Sequence, residues 1–189
     1  MSDDKKRSFL RRLGLRLLAT MGIVAAVLLS WWLKIEDART PEVTPQIVFG
    51  QSVDMGRSRL TPLSLQLRRA EGQPDQLVLS AMIENVTGET QDAVFGIPAK
   101  PPKLVVDGAP LAPPEIILLR DNEPLRQLQP RLPEEIAIIW SAPDPWRPAE
   151  ISINFSKQAF KLKDNLYGQS SWLGFTPIAQ LTITPETVP

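Results

Sequence analysis

Residues 63–83 read LSLQLRRAEGQPDQLVLSAMI, two alternating stretches on either side of a turn. Leucines alternate with polar residues from Leu63 to Leu67, and apolar residues recur at every second position from Leu77 to Ile83. A period of two is typical of half-buried β-strands, because successive side chains point to opposite faces of a sheet. The intervening EGQPD has the glycine, proline and aspartate of a turn. We therefore predict a β-hairpin over residues 60–86, and this hairpin decides the fold class.

Short alternating stretches continue toward the C-terminus. Ile136, Ile138 and Trp140 share one side of a predicted strand, and Ile151 and Phe155 belong to another. All 19 prolines lie beyond residue 40, and frequent prolines between short apolar runs are typical of β domains. We predict an immunoglobulin-like antiparallel β-sandwich of roughly eight strands, with a closed barrel as the alternative. The sandwich is assigned to residues 46–185 and a C-terminal tail to residues 186–189.

The sequence LQPRLPEEIAIIWSAP, residues 128–143, combines Leu-x-Pro with a hydrophobic strand and a trailing proline. This segment resembles bacterial exported immunoglobulin-like domains of unknown function. Those domains often carry a glycine after the first proline, where Arg131 stands in this chain. The resemblance implies the sandwich fold and transfers no active residue.

An uncharged stretch, LLATMGIVAAVLLSWWL, occupies residues 17–33 between Arg16 and Lys34. As a helix it would extend about 25 Å, at the short end of what spans a bilayer. A cleaved signal peptide would need small residues after the apolar region, where this chain has Trp31 and Trp32. Tryptophans at this position suit the membrane interface, and we predict an uncleaved transmembrane helix. The residues assigned to the anchor are Leu17, Leu18, Ile23, Val24, Leu28, Leu29, Trp31, Trp32 and Leu33.

The net charge of zero conceals two oppositely charged segments. Residues 1–34 carry seven basic and two acidic residues, a net charge of +5, and the other 14 basic and 19 acidic residues give residues 35–189 a net charge of −5. Basic residues before a spanning helix mark the cytoplasmic side. We predict a cytoplasmic tail over residues 1–16, a linker over residues 34–45, and a sandwich on the far side of a bacterial inner membrane, periplasmic or extracellular. The topology-setting residues are Lys5, Lys6, Arg7, Arg11, Arg12 and Arg16.

Cysteine and histidine are both absent from the chain. Their absence excludes disulfides, zinc thiolate sites, and Ser-His and Cys-His catalytic pairs. The acidic C-terminal part disfavours a nucleic-acid partner, which would require a basic surface. We predict that the protein is not an enzyme and binds no cofactor or metal.

Four aromatic residues outside the predicted core are candidate partner contacts: Trp146, Tyr167, Trp172 and Phe175. The last three lie in NLYGQSSWLGF, residues 165–175, which we predict to be a loop. This loop either folds back and plugs the end of the sandwich, or it presents an aromatic contact surface. The plug is favoured, because exposed aromatic residues are costly on a monomer.

Two functions agree with this organisation. The first is a membrane-anchored, non-enzymatic interaction or assembly module whose partner is another envelope protein. The alternative is a periplasmic carrier that binds a lipid or other small apolar ligand between its sheets. A carrier needs an open apolar groove, whereas an interaction module needs a closed core with apolar patches outside.

Overall fold

The computed structural model describes the backbone of residues 3–39, 44–69, 74–143, 149–163 and 168–188. Side chains are described for the same residues, except in the helix, where they are described for residues 18–36, and at position 188. The chain forms two compact units, Met1–Val43 and Thr44–Pro189.

The first unit contains helix α1, Asp3–Arg39. One segment of it, Leu18–Glu36, is long and apolar enough to cross a membrane, and none of it is buried. The predicted linker boundary was wrong, because α1 continues through the first six residues of that linker. No proline interrupts α1, and helices usually end at or before the residue that precedes a proline, here Thr40 before Pro41. Residues 40–43 lie outside the described residues.

The second unit is a sandwich of two sheets. Its strands are β1 (Val53–Asp54), β2 (Ser58–Arg68), β3 (Gln76–Asn85), β4 (Lys103–Val106), β5 (Ala109–Pro110), β6 (Glu115–Leu118), β7 (Pro133–Ser141), β8 (Ile151–Lys161), β9 (Ser171–Ile183) and β10 (Glu186–Val188). The larger sheet has the order β1-β2-β3-β7-β6, and β10 also pairs with β2; the smaller sheet has the order β5-β4-β8-β9. The predicted two-sheet sandwich behind an N-terminal helix is confirmed.

The C-terminal tail predicted for residues 186–189 was wrong, because β10 pairs parallel with residues 66–68 of β2. Strand β1 pairs only with Arg59 and Leu60 at the other end of β2. The rest of that strand edge is therefore available, and backbone hydrogen bonding favours its occupation by the chain end. All other strand pairs in the described sheets are antiparallel.

The predicted hairpin over residues 60–86 is confirmed as the β2–β3 pair. One detail differs, because a register shift between Pro62 and Ser64 makes Leu63 an extra residue in β2. A bulge of this kind changes the face on which the following side chains lie. Leu63 is consequently 40% exposed, whereas Leu60 and Leu67 are fully buried on the core side.

The core lies between the two sheets. Strand β7 contributes Ile136, Ile138 and Trp140, as predicted, and they lie opposite residues of β3. From the smaller sheet, Ile151 and Phe155 of β8 are equally buried. Apolar side chains from both sheets thus fill the interior described by the structure.

Two connections show how turn residues act in this chain. Asp107 and Gly108 both adopt positive φ and join β4 to β5, as expected for a primed hairpin turn. Residues 94–99 form a series of turns. Within it, Gly96 has a φ of +88°, which a regular strand does not accommodate. Arg131 also adopts a left-handed φ of +60°, a conformation that favours glycine.

Candidate interaction site at the β8–β9 hairpin

The C-terminal part of the aromatic segment predicted as a loop is a strand. Strand β9 begins at Ser171, and its residues Trp172 and Phe175 pair with Phe160 and Gln158 of β8. The loop prediction was wrong for residues 171–175, because backbone pairing with β8 continues beyond the core. Candidate contacts Trp146 and Tyr167 lie outside the described residues.

An irregular register brings Trp172 and Phe175 to one side of β9. Three positions separate them in β9, while only two separate their partners in β8. In a regular strand, residues three positions apart lie on opposite faces of the sheet. The extra residue in β9 places both aromatic rings on the same face. Both rings therefore pack against turns next to β8, Trp172 at Gly56 and Phe175 at Gly96.

Trp172 is half-buried and packs against two neighbours. Its ring lies 4.5 Å from the Arg57 guanidinium carbon, and its centroid is 5.0 Å from that of Phe160. These distances are suitable for a cation–π contact and a tilted aromatic pair. Gly56 permits this approach, because a Cβ there would overlap the Gln158 carbonyl oxygen and lie 3.2 Å from the Trp172 ring.

Phe175 is also half-buried. The Lys100 ammonium group lies 4.6 Å from the centre of its ring. The ring packs closely over Gly96, whose absent side chain leaves the required space. A glycine therefore lies beneath each of the two aromatic side chains.

A polar network supports Arg57 beneath Trp172. The Arg57 Nε donates to the Gln158 side-chain oxygen at 3.0 Å, and a terminal guanidinium nitrogen donates to the Gln91 oxygen at 3.0 Å. The Gln91 amide nitrogen donates to the Thr87 hydroxyl, and this hydroxyl donates to the side-chain oxygen of the fully buried Asn85. Partial burial lowers the pKa of Arg57 and the charge of Asp92 opposes this, but an arginine remains charged at neutral pH.

Sequence reasoning missed this network, in which Gln158 is the residue contributed by β8. Gln158 is 2% exposed, and its amide nitrogen donates to the Ile97 carbonyl oxygen at 3.2 Å. Its backbone N–H donates to the Met55 carbonyl oxygen at 3.1 Å. A glutamine in an ordinary strand gives no sequence signal of burial, because its side-chain partners Arg57 and Ile97 are far from it in the chain.

Apolar side chains are exposed where the hairpin extends beyond this network. Phe160 is 50% exposed, Leu162 83% and Leu173 42%. Lys161 and Lys163 alternate with Phe160 and Leu162 along the chain. We define the hairpin patch as Phe160, Leu162 and Trp172.

Both interpretations of Trp172, plug and partner contact, remain predictions. Its packing against Arg57 is what a plug requires. Its partial exposure beside Phe160 is what a partner contact requires.

Replacing Trp172 with alanine should lower the free energy of unfolding by about 1–3 kcal/mol, because a tilted aromatic pair and a cation–π contact are lost. Urea denaturation followed by circular dichroism measures this change. In an Arg57→Met background the loss should be smaller, because the cation–π contact is already absent. An unchanged stability would contradict the plug.

The structure also contains two adjoining clefts beside the sandwich core. Their volumes are about 250 Å³ and 330 Å³, and both are lined by Ala99, Pro101, Pro113 and Pro114. Trp140 contributes to the smaller cleft and Asp92 to the larger. Small-molecule sites usually occupy about 300–1,000 Å³, so these clefts are at the lower limit for a ligand.

The anchor residues lie on α1 as predicted. From Leu18 onward every described side chain of the predicted span is exposed, including Trp31 and Trp32. The side chains of Leu17 and of the six topology-setting basic residues lie outside the described ones. Among the side chains that the structure describes, no three acidic groups gather in a way that could hold a metal ion.

A solved structure similar to this chain is an uncharacterized β-sandwich protein from Clostridium difficile 630. The TM-score is 0.51 at 10% sequence identity, and the match covers 77% of this chain and 98% of the other. No protein-family model matches the chain, and the search of curated proteins found no match. The resemblance to immunoglobulin-like exported domains therefore remains a prediction. At this identity the structural likeness shows the fold alone, a β-sandwich.

Proposed function

We propose that this protein is a single-pass, membrane-anchored interaction module of the bacterial envelope. Helix α1 holds it in the inner membrane with the N-terminus in the cytoplasm, and the β-sandwich lies on the far side. The sandwich binds another envelope protein and performs no catalysis.

The hairpin patch is the observation that carries this proposal. Leu162 and Phe160 are the two most exposed apolar side chains at the described end of the β8–β9 hairpin, and the Phe160 ring packs against the half-buried Trp172. Clustered exposed apolar side chains favour burial against a partner. The filled core supports the same function, since apolar side chains occupy the space between the sheets.

Side-chain chemistry supports a non-catalytic role. The chain has no cysteine and no histidine, the usual nucleophile and general base near neutral pH. The strongest polar network, around Arg57 and Gln158, connects elements of the fold. This network joins the turns containing Arg57 and Ile97 to β8, and Arg57 packs on Trp172 of the hairpin patch.

The partner-binding surface can be tested with the double variant Phe160→Ser/Leu162→Ser. We expect affinity capture of the full-length chain from detergent-solubilised membranes to lose the specifically bound protein. The free energy of unfolding should fall only by the value of the Phe160–Trp172 ring pair, about 0.5–1.5 kcal/mol. Truncation of central interface residues typically costs about 2 kcal/mol or more of binding. The matched control is Val48→Ser, since Val48 is 68% exposed elsewhere on the sandwich. Equal recovery by both variants would refute the hairpin patch as the contact.

The proposed topology predicts where a C-terminal reporter is active. Alkaline phosphatase fused after residue 189 should be active, because the basic N-terminal segment is retained in the cytoplasm. Reversing the charges of Lys5, Lys6 and Arg7 should reduce this activity. An inactive fusion of the unaltered chain would refute the topology.

An apolar-ligand carrier is the second candidate function. The two proline-lined clefts favour it, because they adjoin each other beside the core residue Trp140. Saturable quenching of Trp140 fluorescence by a brominated fatty acid would support the carrier. The same quenching in a variant that retains only Trp140 excludes the other four tryptophans as its source.

A further inference from the structure

The smaller of the two clefts beside the core reaches a buried tryptophan. Its volume is about 250 Å³, and residues 99–103 and 110–114 line it. Trp140 also lines this space, although the residue is only 1% exposed. We call this space the Trp140 cleft. Most of its wall is apolar and rigid, because five of the lining residues are prolines: Pro101, Pro102, Pro110, Pro113 and Pro114.

The indole N–H of Trp140 is an unused hydrogen-bond donor. In the part of the chain that the structure describes, the Trp140 side chain forms no hydrogen bond. The Ser171 hydroxyl is the described side-chain group that is fully buried without a partner, so the Trp140 nitrogen keeps a small accessible surface. A buried tryptophan N–H usually has a hydrogen-bond partner. Trp140 lines the cleft, and an acceptor held there can therefore provide the missing bond.

The charged residues that line the Trp140 cleft are both basic. They are Lys100 and Lys103, and no aspartate or glutamate that the structure describes lines this space. The Lys100 ammonium group lies over the Phe175 ring, whereas Lys103 forms no ion pair with a described residue. This basic site contrasts with the net charge of −5 over residues 35–189. Electrostatic complementarity favours an anionic ligand.

The donor groups favour a carboxylate over a phosphate. Phosphate sites typically use arginine forks or helix N-termini, and no described arginine lines the Trp140 cleft. A carboxylate accepts hydrogen bonds through two oxygens and carries a single charge, which suits one indole N–H beside two lysines. The cleft is smaller than the usual range of about 300–1,000 Å³ for small-molecule sites. The ligand is therefore small, with a single ring or a short chain.

We propose that the Trp140 cleft binds a small organic carboxylate. The apolar body of the ligand packs against the prolines. Its carboxylate accepts a hydrogen bond from the Trp140 indole N–H, and Lys100 and Lys103 compensate its charge. The inference rests on the carrier function given above as the second candidate, for which it names the class of ligand. It is independent of the hairpin patch.

Nuclear magnetic resonance of the indole groups observes this donor directly. The full-length chain, labelled with indole-¹⁵N tryptophan in a non-ionic detergent, should give five indole cross-peaks, one for each tryptophan. The Trp140 cross-peak is the one that is missing from Trp140→Phe. If this variant does not fold, phenylalanine substitution of each of the other four tryptophans identifies the Trp140 cross-peak by elimination.

The probes are 4-methylbenzoate and its neutral counterpart 4-methylbenzamide. We expect the carboxylate to move the Trp140 proton signal downfield in a saturable manner, because an ionised acceptor forms a stronger hydrogen bond with the N–H. The amide keeps the ring and an acceptor oxygen but carries no charge. It should bind about tenfold more weakly, the usual difference between charged and neutral hydrogen bonds.

A pair of double variants tests the role of the two lysines. Lys100→Met/Lys103→Met should weaken carboxylate binding about tenfold, since both compensating charges are lost, and should leave amide binding unchanged. The matched control is Lys157→Met/Lys163→Met, which removes the same charge from lysines that line neither of the two clefts. This control should change carboxylate binding by less than about twofold, because salt screens distant charges.

Three results would overturn the proposal: an unmoved Trp140 signal, equal affinities for the carboxylate and the amide, or equal weakening by the two double variants. An unmoved signal is expected if water alone satisfies the indole N–H. The carrier function is tested separately, by the quenching of Trp140 with a brominated fatty acid. Quenching with equal affinities for the two probes would leave the carrier intact and refute the preference for a carboxylate.

Discussion

Replacing Trp140 with alanine is expected to lower the free energy of unfolding by about 3–5 kcal/mol, the usual cost of removing a buried tryptophan ring. Trp140 is 1% exposed in β7 and lies opposite Leu77 of β3. It is among the largest fully buried side chains of the described core. Urea denaturation of residues 44–189, followed by far-ultraviolet circular dichroism, measures the change.

Leu162→Ala is the control for Trp140→Ala, because Leu162 is the most exposed large apolar residue of the described sandwich. A surface substitution of this kind usually changes stability by less than about 0.5 kcal/mol. A comparable loss from the two variants would contradict the assignment of the core. The same experiment tests whether residues 44–189 fold alone, for which the spectrum should be dominated by β-structure.

Gly56→Ala is expected to produce the second large effect. Gly56 has a φ of +99°, and a Cβ there would overlap the backbone carbonyl oxygen of Gln158. A left-handed conformation costs a non-glycine residue about 1–3 kcal/mol. Relief of the overlap would also displace the turn from β8 and break the Met55–Gln158 hydrogen bond. The free energy of unfolding should therefore fall well beyond the conformational cost alone.

Gly50→Ala separates these two contributions. Gly50 has a φ of +83°, but no atom lies within 4 Å of a Cβ at its position. Alanine at position 50 should thus lower the free energy of unfolding only by the cost of a left-handed backbone conformation, about 1–2 kcal/mol. We expect Gly56→Ala to exceed Gly50→Ala by at least about 2 kcal/mol, the additional cost of distorting a packed backbone. Equal losses in the free energy of unfolding would show that the turn containing Gly56 can shift away from β8 without further cost.

Local patterns in the sequence were sufficient for the main elements of the fold. The alternation from Leu77 to Ile83 and the series Ile136, Ile138 and Trp140 predicted buried strand faces, which the structure confirms. The dipeptide Asp107-Gly108 has the composition of a primed turn, and it forms the turn between β4 and β5. These predictions succeed because side-chain period and turn conformation depend on residues close together in the chain.

The same local reasoning was wrong where the register changes. Leu63 continues the leucine alternation, yet it is the extra residue of a bulge and remains partly exposed. The aromatic segment before Phe175 resembles a glycine-containing loop, yet it pairs with β8 as part of β9. A bulge depends on which partner strand is opposite, and single-sequence periodicity carries no information about that partner.

The sequence by itself determined the uncharged segment of the N-terminal helix, the charge asymmetry, the absence of histidine and cysteine chemistry, and the alternating strands of a β-sandwich. Only the tertiary structure decided that Gln158 is buried beside Arg57, that Gly56 and Gly96 lie against β8 and β9, and that β9 is the last strand of its sheet. These features join residues about 100 positions apart, such as Arg57 and Gln158. Their energies depend on distance and burial in the folded chain, and no local pattern specifies either quantity.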